Sequence, residues 1–108
     1  MLRVNYEYFS GILFVRLKGN LTKDTIDEVD NYLIPLLEQQ GVKYLVYNLY
    51  ELKSLDDYGV KVLKKGITII KANQGTVYFC EVPVFLEQQL HDINKVENEL
   101  LALELFNI

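Results

Sequence analysis

The sequence predicts an α/β fold, a mixed β-sheet of about four strands that opens with an N-terminal hairpin and is packed by three to four α-helices. Three observations carry this. Leu2, Val4, Tyr6 and Tyr8 alternate with Arg3, Asn5 and Glu7, the period of two that marks a strand with one wet face. From Tyr44 to Leu49 only Asn48 is polar, which suits a strand covered on both faces, as in a parallel sheet. Directly afterwards Val60, Leu63, Ile67 and Ile70 recur at helical spacing.

Taken in order, Ser10-Gly11 supplies turn chemistry after the first strand, and Ile12-Leu-Phe-Val-Arg-Leu17 reads as its hairpin partner, ended by Gly19-Asn20. Thr22 is placed to cap a helix whose inward stripe is Ile26, Val29, Leu33 and Leu36 or Leu37. Pro35 lies inside that pattern and lacks a backbone donor, so a kink or a broken last turn is expected there. Gly41 closes the segment before the buried strand from Tyr44. A polar turn after Leu49 should then lead into a second helix from about Asp57 to Ala72, ended by Asn73-Gln-Gly75. Thr76–Cys80 reads as another short buried strand. Pro83 suits the first position of a third helix carrying Phe85 or Leu86 and then Leu90. The tail from Asn94 to Phe106 is rich in helix formers, with Val96, Leu100 and Leu103 on one face.

Composition narrows the function. A chain of 108 residues, half of them hydrophobic, fits one domain spanning residues 1–108. With 11 basic and 15 acidic residues the net charge is −4, and no basic cluster offers a nucleic-acid surface. No apolar run approaches the ~20 residues of a membrane span, and the start leads into alternation, not a signal peptide. Cys80 is the single cysteine, so no internal disulfide forms. The expectation is a soluble, cytoplasmic domain.

Asp56, Asp57, Tyr58 and Gly59 form the segment of most interest. They fall where a strand's carboxyl side meets a helix start, the working edge of open α/β sheets. Free N–H groups and a partial positive charge there favour acidic side chains and phosphate. Two roles fit the aspartates: helix capping, and a partner surface that also caps. Tyr58 suits either an interface anchor or a cover for the helix end. Gly59 suits close packing of helix on strand.

Read together, Asn48-Leu49, Glu51-Leu52-Lys53-Ser54 and Leu55-Asp56-Asp57-Tyr58-Gly59-Val60 resemble the STAS domain of bacterial anti-sigma factor antagonists. That family commonly reads strand, Asp/Asn-Leu, a short turn, then hydrophobic-Asp-Ser-Ser-Gly-hydrophobic. Upstream, Gly19-Asn20-Leu-Thr-Lys-Asp-Thr25 resembles the family's Gly-x-Leu-Asp-x-x-Thr, with Thr22 where Asp is usual. The ordered match covers roughly the first 80 residues. It implies a non-enzymatic, cofactor-free module that binds an anti-sigma factor or related serine kinase-like regulator in partner switching. It also implies a partner-binding, switch-turn surface of Asn20, Thr25, Asp56, Asp57, Tyr58 and Gly59.

Two departures stand out. The first serine after the aspartate is the family's phosphoacceptor; here that position is Asp57, followed by Tyr58, so a negative charge is fixed where the family switches one on. The family also places a short strand before its last helix, whereas residues 92–106 read as almost wholly helical. The alternative reading is a structural or scaffold STAS domain that works by assembly, as a homodimer through the C-terminal helix. Its basis is Asp57 in place of the phosphoacceptor, together with the tail Leu100-Leu-Ala-Leu-Glu-Leu-Phe106, which holds more large apolar side chains than one helix face can bury.

Other chemistry is poorly supported. His91 has only Asp92 beside it, and adjacent helical residues do not face one another. Cys80 has no companion cysteine or nearby histidine for a metal. Asp24, Asp27, Glu28 and Asp30 read as a solvated face near a helix start. A receiver domain would need an acidic pair after the first strand, where this chain has a hairpin. Tyr44, Tyr47 and Tyr50 suit rings at a sheet rim with wet hydroxyls, the favoured reading, or an exposed aromatic patch for a partner.

Overall fold

A computed structural model describes residues 1–106. Five strands form one sheet in the order β1 (Leu2–Phe9), β2 (Ile12–Leu21), β3 (Tyr44–Leu55), β4 (Thr76–Cys80) and β5 (Lys95–Val96). Strands β1 and β2 pair antiparallel, and every later pairing is parallel. The hairpin turn places Ser10 at φ 52° and Gly11 at φ 80°, the double positive φ of a type I′ turn whose twist matches that of the strands. Helices α1 (Ile34–Gln39) and α2 (Asp57–Ala72) make the two longer parallel crossovers, and α3 (Glu99–Phe106) follows β5.

Side-chain alternation along the strands builds two cores. Leu13, Val15, Leu17, Leu45, Tyr47, Leu49, Val77 and Phe79 face α1 and α2. Ile12, Phe14, Val46 and Cys80 face the other way, where Ala102, Leu103 and Phe106 of α3 cover them. The run from Tyr44 is thus buried on both sides, as its apolar character requires. Phe106 also meets the Tyr44 and Tyr78 rings, at centroid separations of 5.0 and 4.9 Å.

Several expectations are corrected. The sheet has five strands because Lys95–Val96 pairs with Phe79–Cys80, so the tail is a strand and then a helix, not a helix from Asn94. Two residues are too short to show a period of two, and the helix formers of the tail around them hid them. The segment from Pro83 is a single 3₁₀ turn, Val84–Leu86, with Pro83 as its extended cap rather than its first helical residue. β2 does not end at Gly19-Asn20, nor β3 at Leu49. Both strands continue, past register shifts, to pair Leu21 with Leu55, so the supposed polar turn Tyr50–Ser54 is strand.

Thr22 does not cap the first helix with its side chain. Its carbonyl takes the N–H groups of Thr25 and Ile26, and the Thr25 hydroxyl accepts the N–H of Thr22 at 3.0 Å. The distortion expected in the last turn at Pro35 lies one turn earlier. Val29–Leu33 is a π-helical turn in which Ile34 N–H reaches Val29 O, and Pro35 sits at the start of the regular helix beyond it. A missing donor is harmless at that point, so α1 runs intact to Gln39.

Candidate functional site

Asp56 organises the site. It is the N-cap of α2, in extended backbone, and its Oδ1 accepts the N–H of Gly59 at 2.9 Å. Its Oδ2 accepts the backbone N–H of Lys23 at 2.9 Å, and its own N–H donates to Leu21 O at 3.3 Å. One carboxylate therefore ties the loop after β2 to the start of α2. The bond from Gly59 N–H, with help from Lys23 N–H, holds the Asp56 carboxyl below the usual carboxylate range.

Gly59 makes the approach of these two segments feasible. A Cβ there would overlap the Leu21 carbonyl oxygen and stand 2.6 Å from Leu55 Cδ1. The ends of β2 and β3 and the first turn of α2 thus meet almost backbone to backbone.

Asn20 and Thr25 brace the loop. Ser54 Oγ donates to Asn20 Oδ1 at 2.7 Å, linking β3 to β2, and Thr25 Oγ1 donates to Asn20 O at 2.7 Å. Asp57 and Tyr58 differ in kind, since both are exposed on the first turn of α2. The Tyr58 ring is 47% exposed and has Lys23 Nζ at 5.6 Å and Lys61 Nζ at 6.0 Å from its centroid. All six residues singled out in the sequence lie on this one assembly. Asn20, Thr25, Asp56 and Gly59 build it, and Asp57 and Tyr58 are displayed by it.

The remaining candidates scatter. His91 is exposed, and Cys80 is buried with its thiol pushed up to about 12, first by burial and then by Glu99 and Glu81. Asp30 pairs with Lys65 at 2.9 Å on the surface. Tyr47 is fully buried, hydroxyl included, and Tyr50 is 71% exposed, so the three clustered tyrosines of β3 form no single patch and the expected wet hydroxyl fails at Tyr47. No group of metal-binding side chains occurs among the described residues. Among them, no helix is long and apolar enough to cross a membrane.

Sequence reasoning missed one polar network on the opposite face of the sheet. Arg16 binds Glu99 through Nε–Oε2 at 2.8 Å and Nη2–Oε1 at 2.7 Å, while its Nη1 reaches Glu7 and Asn5 at 2.8 Å. Asn48 adds bonds to Glu99 at 2.8 Å and Glu81 at 3.1 Å. Beside it opens a hollow of about 470 Å³ lined in part by Arg3, Lys18, Tyr50 and Glu51. The network's residues are far apart in sequence, and of them only Asn48 falls in a motif segment.

Comparison with known proteins agrees with this architecture. A curated relative from Paenibacillus polymyxa, named anti-sigma F factor antagonist, is 27% identical over 94% of this chain and 92% of its own length. A solved structure of a putative anti-sigma factor antagonist from Thermotoga maritima superposes with a TM-score of 0.85 at 11% identity, covering 97% of this chain and 95% of that one. The Bacillus cell fate determinant SpoIIAA in its phosphorylated form gives a TM-score of 0.79 at 16% identity, covering 96% and 99% of the two chains. At such identities the structural likenesses establish the fold alone. The family model for the STAS domain matches residues 3–105, and on that match this chain belongs to the STAS-domain family.

Proposed function

We propose that this chain is a cytosolic, non-enzymatic binding module of the anti-sigma factor antagonist type. Its partner is an anti-sigma factor or a related serine kinase-like regulator. The carrying observation is the Asp56 bridge: one carboxylate locks both motif segments together and leaves Asp57 and Tyr58 facing solvent. The name of the Paenibacillus polymyxa relative supports the partner class. Asp57 supplies a permanent negative charge at the position where the family resemblance expects a phosphoacceptor serine. A phosphoserine carries about −1.5 to −2 charge, so a carboxylate reproduces only part of its repulsion toward an acidic partner.

Capture of partners from the native cytosol tests this reading. The expected outcome is recovery of a serine kinase-like or sigma-regulating protein. Asp57→Asn and Asp57→Ser should each move its affinity by at least about tenfold, or ~1.4 kcal/mol, with little change in melting temperature. Only Asp57→Ser should become a kinase substrate. Recovery of no such regulator, together with turnover of a small substrate, overturns the reading. Unchanged affinity in both variants would reduce Asp57 to a helix-start charge.

A second reading is a scaffold domain that assembles through α3 without a switch. Leu100 and Leu105 favour it, being 64% and 56% exposed on that helix. Light scattering on a variant with both leucines replaced by serine distinguishes the two, because only the scaffold loses mass.

A further inference from the structure

The two edges of the sheet are unequal. β5 is two residues long, a blunted edge, whereas β1 presents eight residues without proline or lysine. Among the described residues only β2 pairs with β1, so the outer side of β1 is open among them. In the two-residue hairpin turn, Phe9 and Ile12 are the closing hydrogen-bonded pair. Glu7, Asn5 and Arg3 therefore bond β2, and Val4, Tyr6 and Tyr8 aim N–H and C=O groups outward.

Charge on this strand is left incomplete within one chain. Arg3 stands opposite Lys18 in the hairpin, a like-charge cross-strand pair, and makes no ion pair among the described residues. Glu7 uses Oε1 for Arg16 Nη1 at 2.8 Å, which leaves Oε2 without a partner among them.

From these features we propose that β1 is a self-association edge, at which a second copy of this chain adds antiparallel about a two-fold axis through Asn5. In that register Arg3 faces Glu7 of the second copy, twice by symmetry, and each Glu7 lies between two guanidinium groups. Val4 faces Tyr6 of the second copy, an aromatic and β-branched pair, and Leu2 faces Tyr8. The outward backbone groups fall in phase, because only even-numbered residues face one another as hydrogen-bonded pairs. Sliding by one pairing step in either direction sets Asn5 against Glu7 or Arg3 and loses both ion pairs. The product is one continuous ten-stranded sheet, consistent with the five strands of each copy. The surface is separate from the Asp56–Tyr58 turn and does not depend on the function proposed above.

The test is sedimentation of the full chain up to about 1 mM, with amide hydrogen exchange at high and low concentration. A dimer is expected, with Val4, Tyr6 and Tyr8 amides protected only at high concentration. Arg3→Glu should weaken it by about tenfold or more, and adding Glu7→Arg should restore most of the loss. Tyr8→Pro removes an outward donor while keeping the bonds to β2, so it should also weaken the dimer without unfolding the monomer. A monomer at every concentration overturns the proposal. So does a dimer indifferent to Arg3→Glu and Tyr8→Pro, or one abolished only by replacing Leu100 and Leu105.

Discussion

Arg16 and Glu99 meet in a two-pronged ion pair across 83 residues of chain, with Nε–Oε2 at 2.8 Å and Nη2–Oε1 at 2.7 Å. This contact fastens α3 to the sheet at the margin of the smaller core. The bonds from Arg16 hold the Glu99 carboxyl below its usual range, Asn48 assists, and the same pairing raises the pKa of Arg16.

Glu99→Gln should loosen α3 and cost about 1 kcal/mol, a modest figure because both side chains are partly wet. Denaturant midpoints measure the loss, and faster proteolysis within 97–106 would locate it. The pH dependence has a definite sign. Glu99 has a depressed folded pKa, so its contribution is complete above the ordinary value of 4.5 and disappears as pH falls through the folded one. Between neutral pH and the acid range the gap between wild type and Glu99→Gln should therefore close.

Asp56→Ala should destabilise the loop after β2 as well as the start of α2, because the side chain serves Lys23 and Gly59 together. Asp56→Asn keeps one acceptor and should fall between Asp56→Ala and wild type in thermal unfolding. Lys23 and Gly59 amide exchange should accelerate together in Asp56→Ala. Separate responses would mean that the two segments are not coupled.

Gly59→Ala should cost about 1–3 kcal/mol despite alanine's better helix propensity, because the clash is with the Leu21 backbone oxygen. Chemical denaturation measures it. A neutral or stabilising result would show that β2 and α2 separate more readily than this packing implies.

Tyr47→Phe should raise stability by about 1 kcal/mol. The Tyr47 hydroxyl is buried with no hydrogen-bond partner among the described residues, while its ring packs on Phe79 at 4.9 Å and phenylalanine keeps that contact. Burial, reinforced by Tyr6, also pushes this hydroxyl's pKa upward, so it stays neutral over the working pH range. A loss of stability on differential scanning calorimetry would point to a partner for the hydroxyl in solution.

The long periodic elements were legible in the chain. α2 spans Asp57–Ala72 as its apolar spacing requires, and Thr76–Cys80 is a strand. The motif segments also named six candidate residues, Asn20, Thr25, Asp56, Asp57, Tyr58 and Gly59, that the fold gathers around the Asp56 bridge. Reading failed where an element is short or its pattern competes with another. The helix-forming tail hid β5, and Pro83 suggested a helix where only a 3₁₀ turn forms. The polar residues among Tyr50–Ser54 concealed six further residues of β3, because its buried Leu52 and Leu55 stand three apart, past register shifts, and break the period of two.

By itself the sequence determined which faces are apolar, where α2 begins and which residues make up the motif of its first turn. Those properties are local, set by side-chain periodicity and by the free N–H groups of a helix start. Tertiary structure alone decided that Asp56 reaches back to Lys23, that Arg16 grips Glu99, and that β1 is left as an open edge. Each depends on chain segments brought together by the sheet's order and register, and neither quantity is encoded by spacing along a single element.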